Sequence, residues 1–175
     1  MQRLNNFTTQ IYRKELEKMT IEDKISEIIK SDNLAAEKLL GICEILKNNI
    51  THFHWVGFYF VNGDKHELKL AQFSGKPTEH TIIPFGKGIC GQVALSNENF
   101  VVQDVLEQDN YISCGLEVKS EIVIPIFQEG RNIGQIDIDS HDRAPFTKQD
   151  EELLESVCKR VATLNLQDVI NQDPS

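Results

Sequence analysis

Residues 121–139 read EIVIPIFQEGRNIGQIDID, two apolar runs joined by the short polar stretch QEGR. A brief glycine-containing connection between runs rich in isoleucine predicts a β-hairpin. Successive side chains of a strand point to opposite faces, so Asp137 and Asp139 lie on one face and the adjacent isoleucines on the other. The hairpin therefore combines a core-forming face with a face that carries two acids.

A third acid, Glu121, begins the first strand of this hairpin. A short turn places the far ends of both strands together, so Glu121 is expected beside Asp137 and Asp139 rather than beside the turn. Like charges at this separation repel each other, and the pKa of at least one of the three carboxyls should rise. Such a cluster is typical of a site for a cation, a metal or acid catalysis.

The elements around the hairpin predict the fold class. Apolar residues recur at helical spacing in residues 39–46 and 153–164, and strand-like runs with turn signals lie between these segments. Helices, then largely antiparallel strands, then a closing helix indicate an α+β domain with one central antiparallel sheet and helices on one face. The loops from Lys76 to Val118 remain to cover the other face, and we expect them to form a pocket there.

Length and charge narrow the class of protein. The chain has 175 residues, of which 40% are hydrophobic, enough for one domain with its own core. We expect a helical extension over residues 1–30, the main domain over 31–168 and a tail over 169–175. The net charge of -9 argues against a nucleic-acid partner. Because the sequence contains neither a long apolar run nor a signal-peptide pattern, we expect a cytoplasmic protein without a membrane partner.

The four cysteines fall into two groups. A reducing compartment argues against a disulfide framework, and because none is in Cys-x-x-Cys spacing a zinc site is not expected either. Cys43 and Cys158 lie on the apolar stripes of predicted helices and are expected in the core. Cys90 and Cys114 lie in the loop-like segments GKGICG and YISCG, where thiols tend to be reachable.

The run FHWVGFYFV places Trp55 and Tyr59 four residues apart, on one face of the first predicted strand. There they can wall a pocket and contact a sulfur or methyl group. The pattern alone leaves three interpretations open. In the first, the acids are solvated and the cysteines have no role. In the second, the carboxylates bind Mg²⁺ or Ca²⁺, and in the third a reactive thiol acts together with the acids.

Taken together, these segments resemble the free methionine-(R)-sulfoxide reductases, which are single-domain GAF proteins. The resemblance extends over about residues 34–164 and is carried by HWVGFYF, IPFGKGICG, YISCGLEVKSEIVIPI and IGQIDIDS. It implies a GAF-like domain that reduces the R-sulfoxide of free methionine by thiol chemistry, without a cofactor or a bound metal.

The resemblance also implies a role for each site residue. Cys114 matches the nucleophile that attacks the sulfoxide sulfur, and Glu121 is the best candidate for the acid that protonates the leaving oxygen. Matching acids in the family bind the substrate ammonium or assist the sulfoxide oxygen, and the aromatic pair would enclose the thioether. The substrate-binding residues implied are Trp55, Tyr59, Glu121, Asp137 and Asp139.

The same resemblance implies how the oxidised Cys114 is returned to a thiol. A sulfenic acid on Cys114 would condense with a second thiol, and a thioredoxin-like reductant would reopen the disulfide. Many family members carry a further cysteine ten residues before the GxCG cysteine, where this chain has His80. Cys90 is therefore the expected second catalytic thiol, while direct regeneration of Cys114 by an external thiol remains open.

Two non-catalytic functions compete with this interpretation. One is a GAF sensor that holds a small molecule, and the other is an interaction protein with a dead pocket that dimerises through its N-terminal helix. A sensor has no need of Cys114, and a dead pocket is hard to reconcile with Cys114 beside three acids. A homodimer is compatible with catalysis and stays open.

Overall fold

The computed structural model describes residues 19–108 and 117–170. Its helices are α1 (Ile21–Lys30), α2 (Ala35–Asn49), α3 (Gly88–Ser96), α4 (Lys148–Val161) and α5 (Gln167–Ile170). Its strands are β1 (Trp55–Val61), β2 (Glu67–Ser74), β3 (Ile82–Pro84), β4 (Phe100–Val102), β5 (Ser120–Gln128) and β6 (Arg131–Ser140). A single 3₁₀ turn covers Val105–Glu107.

The strands of the described residues form one antiparallel sheet in the order β3-β2-β1-β6-β5-β4. The predicted hairpin is β5–β6, and its register pairs Glu121 with Asp139 and Val123 with Asp137. Strand β1 pairs with the other edge of β6, so the acidic strand lies inside the sheet. The α+β class and the central antiparallel sheet are confirmed.

Helices α1, α2, α4 and α5 pack on one face of the sheet and form the main hydrophobic core with it. Ile25 of α1 is fully buried in that core, so this helix is part of the packed body. Cys158 of α4 is buried there as well, as predicted. Helix α2 contributes four fully buried side chains at helical spacing: Leu39, Ile42, Cys43 and Leu46.

Two of these helices begin with reciprocal caps. Thr20 accepts a hydrogen bond from the backbone N–H of Asp23, whose carboxylate accepts one from the Thr20 N–H. Thr147 and Asp150 repeat the arrangement at the start of α4. Each of these capping boxes satisfies backbone N–H donors that the first helical turn leaves without a partner. The capping residues therefore determine where the helix starts.

The opposite face of the sheet is covered by loops and by α3. Cys90 belongs to this helix, so the expectation that it lies in a loop is wrong. Gly86 and Gly88 adopt positive φ angles and turn the chain sharply, and the residues after them continue as a helix. Gly91 lets α3 approach the preceding loop, because an added Cβ would lie 2.5 Å from the Pro84 carbonyl oxygen. Ile89, Cys90 and Val93 of α3 are buried in a second cluster on this face.

Within residues 19–108 and 117–170, none of the helices combines the length and the apolar character needed to cross a membrane.

Candidate functional site

Three carboxyl groups meet on the face of the sheet that α3 covers. Asp139 pairs with Glu121 on one side and with Trp55 on the other, and Asp137 lies two residues before it on β6. The three acidic residues are only 2–4% exposed. The predicted convergence of the three carboxylates at one end of the hairpin is confirmed.

Burial changes the acidity of this cluster. Desolvation raises the pKa of Glu121 well above its usual value, and the charges of Asp137 and Asp139 raise it further. Desolvation likewise raises the pKa of Asp137 to about 7, although a hydrogen bond from Cys90 opposes the shift. The pKa of Asp139 is raised by desolvation and by Asp137. The cluster therefore holds carboxyl groups that keep a proton near neutral pH and can donate it.

Cys90 points into the acidic cluster. Its Sγ lies 3.9 Å from Oε1 of Glu121 and donates to it. One ligand atom from each of Cys90, Glu121 and Asp137 lies within 4.8 Å of the other two. Helix α3 packs against the sheet through this side, so Cys90 is buried instead of being reachable from solvent as predicted.

Two carboxylate oxygens in the cluster have no hydrogen-bond partner among the residues that the structure describes. Oδ1 of Asp137 and Oδ1 of Asp139 are buried and accept no hydrogen bond from the described part of the chain. A buried acceptor left unsatisfied costs about 1–3 kcal/mol. Both residues line a cavity of about 1240 Å³ on the same face. A ligand in the cavity that brings N–H donors would satisfy both oxygens.

The aromatic wall of the cavity is fixed by hydrogen bonds to the backbone. Trp55 Nε1 donates to the Lys76 carbonyl oxygen at 3.0 Å, and Tyr59 Oη donates to the His80 carbonyl oxygen at 2.9 Å. The Trp55 indole stacks on Phe73, with ring centroids 5.6 Å apart. Both predicted aromatic residues line the cavity.

Two glycines make room for the indole of Trp55. A Cβ added to Gly57 would lie 2.1 Å from Cη2 of Trp55, and one added to Gly75 would lie 2.4 Å from its Cδ1. The indole therefore lies directly against both backbones. A glycine inside a strand-like run is the sequence signal of such a close approach, and our reading of the run missed it.

The mouth of the cavity carries charged and titratable groups that the sequence analysis did not select. The rings of His54 and His141 stack with centroids 4.2 Å apart, and the His141 backbone N–H donates to Nδ1 of His54 at 3.1 Å. Lys76 forms an ion pair with Glu117, whose Oε2 lies 4.0 Å from Nε2 of His141. Burial, and to a smaller extent the charge of His54, lowers the pKa of His141, whereas the charge of Glu117 acts in the opposite direction. No sequence motif marks these four residues, because they meet only through the fold.

Gln135 is a second polar residue that the sequence analysis missed. It lies two residues before Asp137 on β6, so alternation places it on the face of the acids. Gln135 is fully buried, and neither its Nε2 nor its Oε1 has a hydrogen-bond partner among the described residues. The alternation that selected the two aspartates was the available signal.

Cys114, the predicted nucleophile, lies outside the described residues. Glu117 is the first described residue after it in the chain, and both Glu117 and Val118 line the cavity. Of the predicted site residues, the structure brings together Trp55, Tyr59, Cys90, Glu121, Asp137 and Asp139 on the cavity face of the sheet.

Comparison with known proteins identifies relatives of this chain. Residues 37–164 match the GAF domain family. Over 114 residues the chain is 35% identical to the free methionine-R-sulfoxide reductase of Escherichia coli (strain K12), which covers 65% of this chain and 67% of that protein.

Two solved structures are also similar. The type II free methionine-R-sulfoxide reductase from Thermoplasma acidophilum is 37% identical with a TM-score of 0.71, covering 73% of this chain and 89% of that one. The free methionine-R-sulfoxide reductase from Neisseria meningitidis in complex with its substrate is 34% identical with a TM-score of 0.75, covering 81% and 86%.

Proposed function

This chain is a GAF-domain protein of the free methionine-R-sulfoxide reductase family, and we propose that it reduces free L-methionine (R)-S-oxide to L-methionine. The family membership rests on the match over residues 37–164 and on relatives of that name. The substrate and its stereochemistry come from those relatives. The roles of individual residues come from the family resemblance, and the geometry of the described residues supports those proposed for Glu121, Asp137 and Asp139.

One observation carries the proposal: at the wall of a cavity that an indole also lines, two buried aspartate oxygens have no hydrogen-bond partner within residues 19–108 and 117–170. A free amino acid brings an ammonium group, whose three N–H donors match the oxygens of Asp137 and Asp139 and whose positive charge favours the ionised form of these carboxyls. A peptide nitrogen carries no charge and one N–H at most, so it would leave the cluster unsatisfied. The thioether end would lie against Trp55 and Tyr59.

The proposed chemical step uses Cys114 and Glu121. The Cys114 sulfur attacks the sulfoxide sulfur, and Glu121 donates a proton to the sulfoxide oxygen, which is a poor leaving group as an oxide. Attack forms a sulfur–sulfur bond, and the oxygen leaves as water with the protons of Glu121 and the Cys114 thiol. Water then attacks the Cys114 sulfur and breaks that bond: the substrate sulfur keeps the electron pair as the thioether of methionine, Cys114 becomes a sulfenic acid, and the released proton returns to Glu121. The raised pKa of Glu121 supports this role, because it keeps the proton available near neutral pH.

We propose Cys90 as the thiol that resolves the sulfenic acid. Its sulfur would displace the sulfenic oxygen as water and form a disulfide with Cys114, which a thioredoxin-like dithiol then reduces. Cys43 and Cys158 lie on the helix face of the sheet, and burial raises the pKa of both thiols. A cycle of this kind suits the cytoplasmic location that the sequence predicts.

The activity is tested by incubating the reduced protein with each diastereomer of free methionine sulfoxide and dithiothreitol. We expect methionine, quantified by chromatography, from the R form only, and none with Cys114→Ser. Cys43→Ala is the matched cysteine control and should turn over normally. Binding of methionine sulfoxide without turnover by the wild type would contradict the reductase and favour the non-catalytic sensor.

A further inference from the structure

The cluster of Cys90, Glu121 and Asp137 has the composition of a metal-ligand set as well as of an acid site. A thiol and two carboxyl groups, all buried, hold ligand atoms within 4.8 Å of one another. Sulfur and carboxylate oxygen together are ligands that Zn²⁺ accepts, whereas Mg²⁺ and Ca²⁺ prefer oxygen alone. The ligand types therefore select Zn²⁺ over the hard cations that the sequence analysis considered.

The spacing of the ligands suits a tetrahedral ion. Zinc–sulfur and zinc–oxygen bonds of about 2.3 and 2.1 Å place two tetrahedral ligand atoms about 3.6 Å apart. Sγ of Cys90 and Oε1 of Glu121 are 3.9 Å apart, close to that separation. The widest separation in the set, up to 4.8 Å, needs a side-chain movement of about 1 Å.

A second observation points to a bound cation. Oδ1 of Asp137 and Oδ1 of Asp139 are buried without a hydrogen-bond partner among the described residues, although buried carboxylate oxygens are ordinarily satisfied. Asp137 is the member of the set that lines the cavity, so an ion can reach the cluster from the cavity side. A divalent cation would also relieve the repulsion among the three neighbouring acids.

We propose that Cys90, Glu121 and Asp137 form an inhibitory Zn²⁺ site, with the fourth ligand position facing the cavity. Zinc there converts the Cys90 thiol to a bound thiolate and releases its proton. The ion occupies the carboxylate that would bind the substrate ammonium and holds the sulfur that would resolve the sulfenic acid. Inhibition rests on the proposed function, whereas zinc binding itself does not.

Zinc binding is measured on the full chain, reduced with a phosphine and titrated with ZnCl₂ against a chromogenic chelator of known affinity. We expect one Zn²⁺ per chain in the wild type. Cys90→Ser and Asp137→Asn should each weaken binding by more than about tenfold, since even the loss of an outer-shell partner costs that much. Circular dichroism melts establish that each variant is folded.

Two cysteine variants serve as controls. Cys43→Ala removes a thiol on the opposite face of the sheet, and Cys114→Ser removes the proposed nucleophile; both should keep the wild-type zinc affinity. Millimolar Mg²⁺ or Ca²⁺ should not displace the zinc. In a reductase assay driven by thioredoxin instead of dithiothreitol, which itself binds zinc, Zn²⁺ should raise the apparent KM for methionine sulfoxide, and a chelator should restore the original KM.

The proposal is overturned by unchanged zinc affinity in Cys90→Ser, by loss of zinc in Cys114→Ser alone, or by displacement of zinc with Mg²⁺. Reduction of methionine sulfoxide by a protein that binds no zinc would end the metal proposal and leave the reductase intact. Zinc binding with the expected specificity, in a protein that does not reduce methionine sulfoxide, would support the metal site and end the reductase proposal.

Discussion

The two faces of the central sheet are built from the same strands and behave in opposite ways. On β6, Ile136 and Ile138 are fully buried in the core under the helices, while Asp137 and Asp139 between and beside them face the cavity. The apolar side chains on the helix face gain from burial. On the cavity face, burial raises the pKa of both acids, and one oxygen of each has no hydrogen-bond partner in the described part of the chain. The larger hydrophobic core therefore lies on one face, and the chemistry is concentrated on the other, which has a smaller apolar cluster.

The largest expected effect comes from Glu121→Gln, which removes the proposed proton donor and keeps its shape. We expect turnover to fall by about 10²–10⁴-fold, the usual contribution of a general acid. Urea unfolding should show no loss of stability, because a buried acid with an unfavourable environment has been removed. Glu129→Gln, in the exposed turn of the same hairpin, is the control, and equal turnover of the two variants would contradict the assignment.

Ile138→Ala tests the other face of the same strand. Removal of this fully buried side chain should lower the free energy of unfolding by about 2–5 kcal/mol, measured by urea denaturation. Turnover per folded molecule, measured well below the midpoint, should stay close to wild type. A loss of turnover at unchanged stability would show that the two faces are not separable in this way.

The raised pKa values predict an unusual pH dependence of stability. Between pH 4 and 7 the folded state keeps the proton of Asp137, while the unfolded chain has released it near pH 4. The folded state then binds more protons, so the free energy of unfolding falls as pH rises through this range, by on the order of a few kcal/mol. Glu121 and Asp139, whose pKa values are also raised, act in the same direction.

Asp137→Asn should flatten this profile when unfolding is followed in urea at half-unit steps from pH 4.5 to 7.5. The amide does not titrate, and its neutrality also removes the charge that raises the pKa of Glu121. Parallel profiles for wild type and variant would mean that Asp137 is ionised in the folded protein throughout the range.

Gly57→Ala should have the smallest effect. The new Cβ would meet the Trp55 ring at 2.1 Å, and displacing the ring costs about 1–3 kcal/mol. Because Trp55 lines the cavity, we expect KM for methionine sulfoxide to rise more than kcat falls. Gly41→Ala, whose Cβ meets only the end of the Ile28 side chain in the helix layer, is the matched control and should leave KM unchanged.

Local patterns predicted the part of the site that depends on strand alternation. A short turn brings the far ends of the two strands together, so the position of Glu121 beside Asp137 and Asp139 followed from the sequence. The exact register, which pairs Glu121 with Asp139, came only from the structure. The same period placed Trp55 and Tyr59 together on the cavity wall. Both features can be predicted from the order of the residues and the two-residue repeat of a β-strand.

Features that depend on contacts distant in sequence were not predictable in this way. Cys90 appeared reachable because glycines flank it, but α3 packs onto the sheet and turns its sulfur toward Glu121. The stacked rings of His54 and His141 lie 87 residues apart in the chain and meet only because β1 pairs with β6. Only the folded structure brings such residues together.

The central claim is that the buried acids accept the ammonium group of a free amino acid. It is tested by comparing kcat/KM for free L-methionine (R)-S-oxide with that for its N-acetyl derivative, which lacks the charge and two of the N–H donors. We predict a preference of at least about 10³-fold for the free amino acid, because the derivative leaves buried carboxylates unsatisfied. Equal kcat/KM values for the two compounds would contradict the account.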